Sequence, residues 1–251
     1  MRSFKLNAQP ALLAAAAMVM IGLPMQAADQ DHKIEATAKS SYNFMTYLKD
    51  DHIKVSSSDG VVTLTGTVAQ EYHRSLAEDT VAGQTGVKGV NNRLTVLGDQ
   101  PTEHSDAWMT MKVKSVLAFH KNVSATDTEV STQGGVVTLN GTARSEAQKQ
   151  LTTEYAKDVE GVTEVRNNTV VTKHAPRTLG TKVDDGSITA QVKTALLFHK
   201  STHALATKVT TKSGVVTLHG EAQNGAERDL VTKVAEDIEG VKHVNNRMTV
   251  K

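Results

Sequence analysis

The sequence predicts a mixed α/β (α+β) chain of three tandem small domains. Each domain is α-β-β-α-β, a three-stranded sheet with two helices on one face. Three observations predict it. A seven-residue phrase occurs three times, as Gly60-Val-Val-Thr-Leu-Thr-Gly66, Gly135-Val-Val-Thr-Leu-Asn-Gly141 and Gly214-Val-Val-Thr-Leu-His-Gly220. A second phrase starts 26 positions after the first glycine of each copy: Gly86-Val-Lys-Gly-Val-Asn-Asn, Gly161-Val-Thr-Glu-Val-Arg-Asn and Gly240-Val-Lys-His-Val-Asn-Asn. The four prolines, Pro10, Pro24, Pro101 and Pro176, all fall outside the repeat bodies, as regular helices and strands require. Two motifs holding one spacing through three copies mark an internal repeat.

Taken in order, the first helix shows an apolar stripe at helical spacing. The stripe is Met109, Val113, Val116 and Leu117 in copy two, opened by Ser105 or Asp106, and Ile188, Val192, Ala195 and Leu196 in copy three, opened by Asp185 or Ser187. A short strand around Val55, Val130 or Val209 leads to a tight turn. The central phrase then alternates, with Val62 and Leu64 on one face and Val61, Thr63 and Thr65 on the other. Strand, turn and strand read as a hairpin. The second helix starts near Glu71, Glu146 or Ala226. Its inward face is Leu151, Tyr155, Ala156 and Val159 in copy two, and Leu230, Val234, Ala235 and Ile238 in copy three. Gly86, Gly161 and Gly240 are expected to end it at the left-handed C′ position. The last strand places Val244, Asn246, Met248 and Val250 on one face. With helices on one side only, the other sheet face is open or covered by a neighbour. Polar linkers around Pro101 and Pro176 suggest hinged, separately packed units.

Copy one departs from this pattern. Ser40-Ser41-Tyr42-Asn43 replaces the apolar run of its first helix, which predicts a weaker core or a displaced helix there.

The N-terminus reads as a signal peptide over residues 1–27. Arg2 and Lys5 precede the uncharged apolar stretch Ala11 to Leu23, and small residues allow a cut after Ala27 or Ala28. The alternative, a membrane anchor, suits a longer apolar stretch than this one. The domains then span 30–97, 105–173 and 184–251. Export points to the periplasm, or to secretion beyond it. The chain has no cysteine, hence no disulfide, thiol nucleophile or lipidated cysteine. Removing Arg2 and Lys5 leaves 26 basic against 27 acidic residues, a net charge near −1. That argues against a nucleic-acid partner.

The recurring glycines, Gly60, Gly66, Gly86, Gly135, Gly141, Gly161, Gly214, Gly220 and Gly240, flank strands and turns. They read as structural, not as a phosphate-binding loop. Asn92, Asn167 and Asn246 recur at the last strand and suit a local side-chain to backbone bond. His120 and His199 recur after the first helix, where a polar or cationic residue suits the dipole. His199 and His203 stand four apart, but the helix ends between them, so neither a metal nor a cofactor is expected. No nucleophile elbow or Walker loop occurs, and no catalytic residue is assigned. Trp108, the one tryptophan, lies on a flank of the first helix in copy two with Lys112 and Lys114; Lys193 marks the matching patch in copy three. An aromatic beside lysines suits an anionic membrane interface, so these four are the candidate lipid-binding residues. Packing of Trp108 on a linker or neighbouring unit is the alternative.

The paired phrases Gly-Val-Val-Thr-Leu-x-Gly and Gly-Val-x-x-Val-x-Asn, with a helix between them, resemble the BON domain over residues 30–97, 105–173 and 184–251. The resemblance implies an α/β fold of this order and a non-enzymatic protein of osmotic or envelope stress. It also implies binding to phospholipid surfaces or envelope proteins, peripheral membrane contact at most, and in some members chaperone activity. Three weak modules would then bind by avidity.

Overall fold

The computed structural model describes residues 24–123, 127–172, 182–202 and 207–251. Residues 1–23 of the expected signal peptide, Pro176 and His203 lie outside these. The first unit has α1 (Pro24–Ser40), α2 (Tyr42–Thr46), β1 (His52–Ser58), β2 (Val61–Val68), α3 (Glu71–Ala82) and β3 (Gly89–Val96). The second has α4 (Asp106–Phe119), β4 (Thr128–Gln133), β5 (Val136–Ala143), α5 (Glu146–Lys157), β6 (Glu164–Asn167) and β7 (Val170–Val171). The third has α6 (Asp185–Phe198), β8 (Lys208–Lys212), β9 (Val215–His219), β10 (Glu221–Ala222), α7 (Gly225–Glu236), β11 (His243–Asn246) and β12 (Thr249–Val250). In each unit the first two strands are antiparallel and the last returns parallel to the middle one. The expected order is therefore present three times. The expected cut after Ala27 or Ala28 falls within α1.

The recurring residues have recurring tasks. Both central residues of each hairpin turn have positive φ: Asp59 and Gly60, Gly134 and Gly135, Ser213 and Gly214, the conformation that matches strand twist in two-residue hairpins. One aspartate from the first helix accepts from the turn amides. Asp31 takes Asp59 N and Gly60 N at 2.8 and 2.9 Å, Asp106 takes Gly134 N and Gly135 N at 2.8 and 3.0 Å, and Asp185 takes Ser213 N and Gly214 N at 2.6 and 2.7 Å. Asn92, Asn167 and Asn246 tie the last strand to the second helix. Each Nδ2 donates to a helix carbonyl, of Arg74, Lys149 or Arg228, and each Oδ1 accepts from the amide two residues on. At Gly66 and Gly141 a Cβ would come within 1.9 Å of the backbone carbonyl of His52 or Asp127, so only glycine fits.

Several expectations need correction. Asp184, not Asp185 or Ser187, caps α6, accepting from Ser187 N at 2.9 Å, because Asp185 is engaged by the turn. Ser105 caps α4. Gly86, Gly161 and Gly240 are left-handed but lie in a turn beyond the C-caps Gly83, Asp158 and Asp237. A Cβ on Gly240 would meet Val183 Cβ at 2.7 Å. Val244 and Met248 are buried on one face as expected, but Val250, at the end of the last strand, is 45% exposed.

The expectation of separately packed, hinged units is overturned. One buried cluster runs through all three, from Leu76 and Val81 through Val113 and Phe119 to Ala190 and Leu196. Helix α6 is its centre. Its own-unit stripe, Ile188, Val192, Ala195 and Leu196, is buried, and so are Ala190, Gln191 and Thr194 on its other sides.

The first unit docks on α6 through α3. Gly83 and Gly186 let the backbones touch: a Cβ on Gly186 would lie 2.7 Å from Thr80 O, and one on Gly83 would lie 2.9 Å from Gly186 Cα. The irregular run of copy one serves this contact. Its first helix breaks at Ser41, and the short α2 turns toward the third unit. Asn43, fully buried, receives Gln191 Nε2 on its Oδ1 at 2.7 Å and donates through Nδ2 to Thr80 Oγ1 and Ser187 O, while its amide donates to Ser187 Oγ.

Units two and three meet reciprocally. The buried His120 and His199 follow α4 and α6 and face each other, Nε2 to Nε2, at 3.3 Å. His199 Nδ1 lies 2.7 Å from Asp158 Oδ2 after α5, and His120 Nδ1 lies 3.2 Å from Asp237 Oδ2 after α7. The His120 contact is off the hydrogen-bond direction; the Tyr155 hydroxyl donates to that oxygen instead, at 2.6 Å. Backbone bonds repeat the exchange, Lys121 N to Asp237 O and Lys200 N to Asp158 O. These histidines belong to an interface, not to a helix dipole. Tyr155, expected inside its own unit, stacks on His120 with centroids 3.8 Å apart.

Two predictions follow from the docking. Gly186→Leu should lower stability by about 2 kcal/mol through overpacking and split a single urea transition into two. Gly225→Ala, with no atom near its Cβ, should stay within about 0.5 kcal/mol of the parent. Burial holds the His120 imidazole below its ordinary value, and His199 adds to this against the pull of Asp237. Below about pH 6.5 the unfolded chain therefore takes up a proton that the interface refuses, so stability falls as pH drops through that value. The melting temperature should decline between about pH 7 and pH 5, and His120→Gln should flatten the decline. Asp31 and Asp106, held low by turn amides and, for Asp31, first by Ser57, act only in the more acidic carboxylate range.

Candidate functional site

Helices α3, α4 and α6, one from each unit, enclose a cleft of about 500 Å³. Helix α3 contributes Glu71, Tyr72, Ser75 and Asp79, and α4 contributes Trp108, Met111 and Lys112. Helix α6 contributes Lys193, Thr194, Leu197 and Phe198, and the linker adds Gln100 and Pro101. On each helix these residues recur at three- and four-residue steps and form one face. The floor is aromatic: Tyr72 meets Phe198 edge-on at 5.8 Å and Phe119 at 6.3 Å, and Tyr47 meets Phe119 at 4.9 Å. Burial raises the Tyr72 hydroxyl's pKa, so it stays protonated. At the rim Leu197 is 53% exposed.

Three of the four sequence-derived candidates converge here. Trp108 is half-buried, beside the linker and 5.2 Å from the His104 ring. Lys112 lies on the same helix face, its ammonium 4.2 Å from the Phe198 centroid and 5.2 Å from that of Trp108. Desolvation among these rings lowers the Lys112 pKa, against the pull of Glu103 and Glu71. Lys193 reaches the cleft from the third unit, where it pairs with Asp79 of the first at 2.6 Å. Lys114 is exposed and does not line the cleft.

Sequence reasoning placed Trp108 and Lys112 on one helix flank and Lys193 on its counterpart. It did not foresee that the two flanks face each other, nor that α3 supplies a third wall. The signals for docking were present as differences between copies. His120 and His199 stand where copy one has Met45, and Asp158 and Asp237 where it has Gly83.

Among the described residues no three His, Cys, Asp or Glu side chains are grouped to hold a metal. Among those residues no helix is long and apolar enough to cross a membrane. What the cleft offers is apolar area, aromatic faces and two ammonium groups, a means of binding.

The BON domain family matches residues 30–98, 105–173 and 184–251. The chain is 31% identical over 201 residues to Osmotically-inducible protein Y of Escherichia coli K12, covering 79% of this chain and 98% of that protein. It is 30% identical over 118 residues to outer membrane lipoprotein DolP of Haemophilus influenzae, covering 46% of this chain and 61% of that one. It is 32% identical over 122 residues to the 21 kDa hemolysin of Actinobacillus pleuropneumoniae, covering 47% and 62%.

Proposed function

The chain belongs to the BON domain family, and from that premise we propose that it is an exported, non-catalytic protein of the cell envelope that binds anionic phospholipid surfaces under osmotic or envelope stress. The observation that carries this reading is the convergence of Trp108, Lys112 and Lys193 on one largely apolar cleft. An aromatic ring beside ammonium groups matches the chemistry of a lipid interface, with apolar chain below and anionic headgroup above. Relatives named for osmotic induction and for the outer membrane support the setting, and the apolar N-terminal stretch supports export to the periplasm, with secretion as the alternative. Docking replaces avidity: the three copies supply different walls of one composite site.

A second reading, a chaperone that holds unfolded envelope proteins, is favoured by exposed apolar side chains. Leu197 at the cleft rim is 53% exposed and Val61 on the open sheet face 43%. Suppression of aggregation of a model client that survives Trp108→Ala and Lys112→Ala would favour this reading.

Vesicle flotation tests the first. The exported form should float with phosphatidylglycerol-containing vesicles at low salt and not with pure phosphatidylcholine. Lys112→Ala should cut partitioning about fivefold, in line with about 1 kcal/mol per basic residue at an anionic surface. Lys114→Ala, outside the cleft, should cut it less. Absence of flotation with anionic vesicles at low salt contradicts the reading.

A further inference from the structure

Lys112 is the cleft's one cation without a counter-charge among the described residues. Of the other charged groups lining it, Lys193 pairs with Asp79 at 2.6 Å and Glu71 pairs with Arg74 at 3.4 Å. The Lys112 ammonium has no carboxylate within ion-pair distance and no hydrogen-bond acceptor among the described residues; it rests on the faces of Phe198 and Trp108. Glu71 and Glu103 act on it only at longer range. A cation half-withdrawn from water onto aromatic rings, with its donors unused, is a receptor for an anion delivered from the cleft.

The space beside it fixes what carries that anion. The walls next to Lys112 are Trp108, Met111, Leu197, Phe198 and Tyr72, which suit a hydrocarbon. The cleft's volume of about 500 Å³ leaves room for a hydrocarbon chain lying along these side chains.

We propose that the cleft binds a single-chain anionic amphiphile, one molecule at a time, with the chain along Trp108, Met111, Leu197 and Phe198 and its carboxylate or phosphate on Lys112. This rests on the cleft being the lipid-binding site and goes beyond it: the ligand is a monomer taken out of water or a membrane, not the bilayer surface itself. Every wall of the site comes from a different unit, so a lone repeat would not make it.

The test uses the exported full chain and its one tryptophan. Palmitate and 1-palmitoyl-lysophosphatidylglycerol, each below its critical micelle concentration, are titrated against Trp108 emission, with uncharged monopalmitin as the neutral arm. The expected result is a saturable one-to-one blue shift with either anionic amphiphile, and at least tenfold weaker binding of monopalmitin. Binding of both anionic ligands or of one supports the inference, and the pair tells carboxylate from phosphate. Lys112→Met, which keeps chain length and apolar packing, should weaken binding at least tenfold, the scale of one charge-assisted hydrogen bond. Lys114→Met, exposed and outside the cleft, should change it less than threefold. Leu197→Glu at the exposed rim, where folding is not at stake, should also weaken it at least tenfold. No saturable shift with either anionic ligand, equal binding of monopalmitin, or an unchanged Lys112→Met would overturn the inference. Flotation on anionic vesicles with no monomer binding would overturn it while leaving the membrane-surface reading intact. Monomer binding without flotation would do the reverse.

Discussion

Burial of α6 on nearly every side is the constraint from which the rest of the molecule follows. A unit of this size buries only a thin core by itself. Its two helices cover one sheet face and leave their own outer surfaces wet. In the third unit the outer surface of the first helix carries Ala190, Gln191 and Thr194, small or hydrogen-bonding residues that a neighbour can approach. The first unit covers part of it through the Gly83 and Gly186 contact, and the second covers its C-terminal end through His120 and His199. What the three helices do not close between them is the cleft. Fold and site are thus one consequence of incomplete packing around one helix.

The copies have diverged to make this possible. Identical repeats would present identical surfaces, whereas here the third unit meets the second by a reciprocal contact and the first by a different one. Copies two and three kept a matched pair, histidine after the first helix and aspartate after the second, and use it reciprocally. Copy one has Met45 and Gly83 in those places and a helix broken at Ser41. Its Asn43 satisfies Gln191, Thr80 and Ser187 in the dry centre of the other interface. Leaving such a group unpartnered would cost about 1–3 kcal/mol, so the network fixes how the first unit sits. Inside each unit, by contrast, the residues stay the same: Asp31, Asp106 and Asp185 all hold a hairpin turn.

The repeat made the local fold legible. Glycine phrases at one spacing, alternation in the central strand and helical stripes in copies two and three all correspond to observed elements. The break in copy one was legible as a departure, and its cause was not, because the cause is a contact with residues more than 140 positions away. The turn-holding aspartates went unread for a related reason: Asp106 and Asp185 sit where a helix cap is expected, and a side chain does not announce whether it serves its own helix or a turn 29 residues on. For the site, composition and helix flank picked out Trp108, Lys112 and Lys193. Only the crossing of the helices put them in one place and left Lys114 outside. Polar linkers suggested hinges, yet Gln100 and Pro101 of the first linker help to wall the cleft.

The account depends on the three units forming one body in solution. Small-angle X-ray scattering of the exported chain measures this directly. A docked arrangement predicts a radius of gyration of about 17 Å, that of a compact body of this length, with a single-peaked distance distribution. A markedly larger radius, with separate peaks for distances within and between units, would mean independent bodies and no composite cleft.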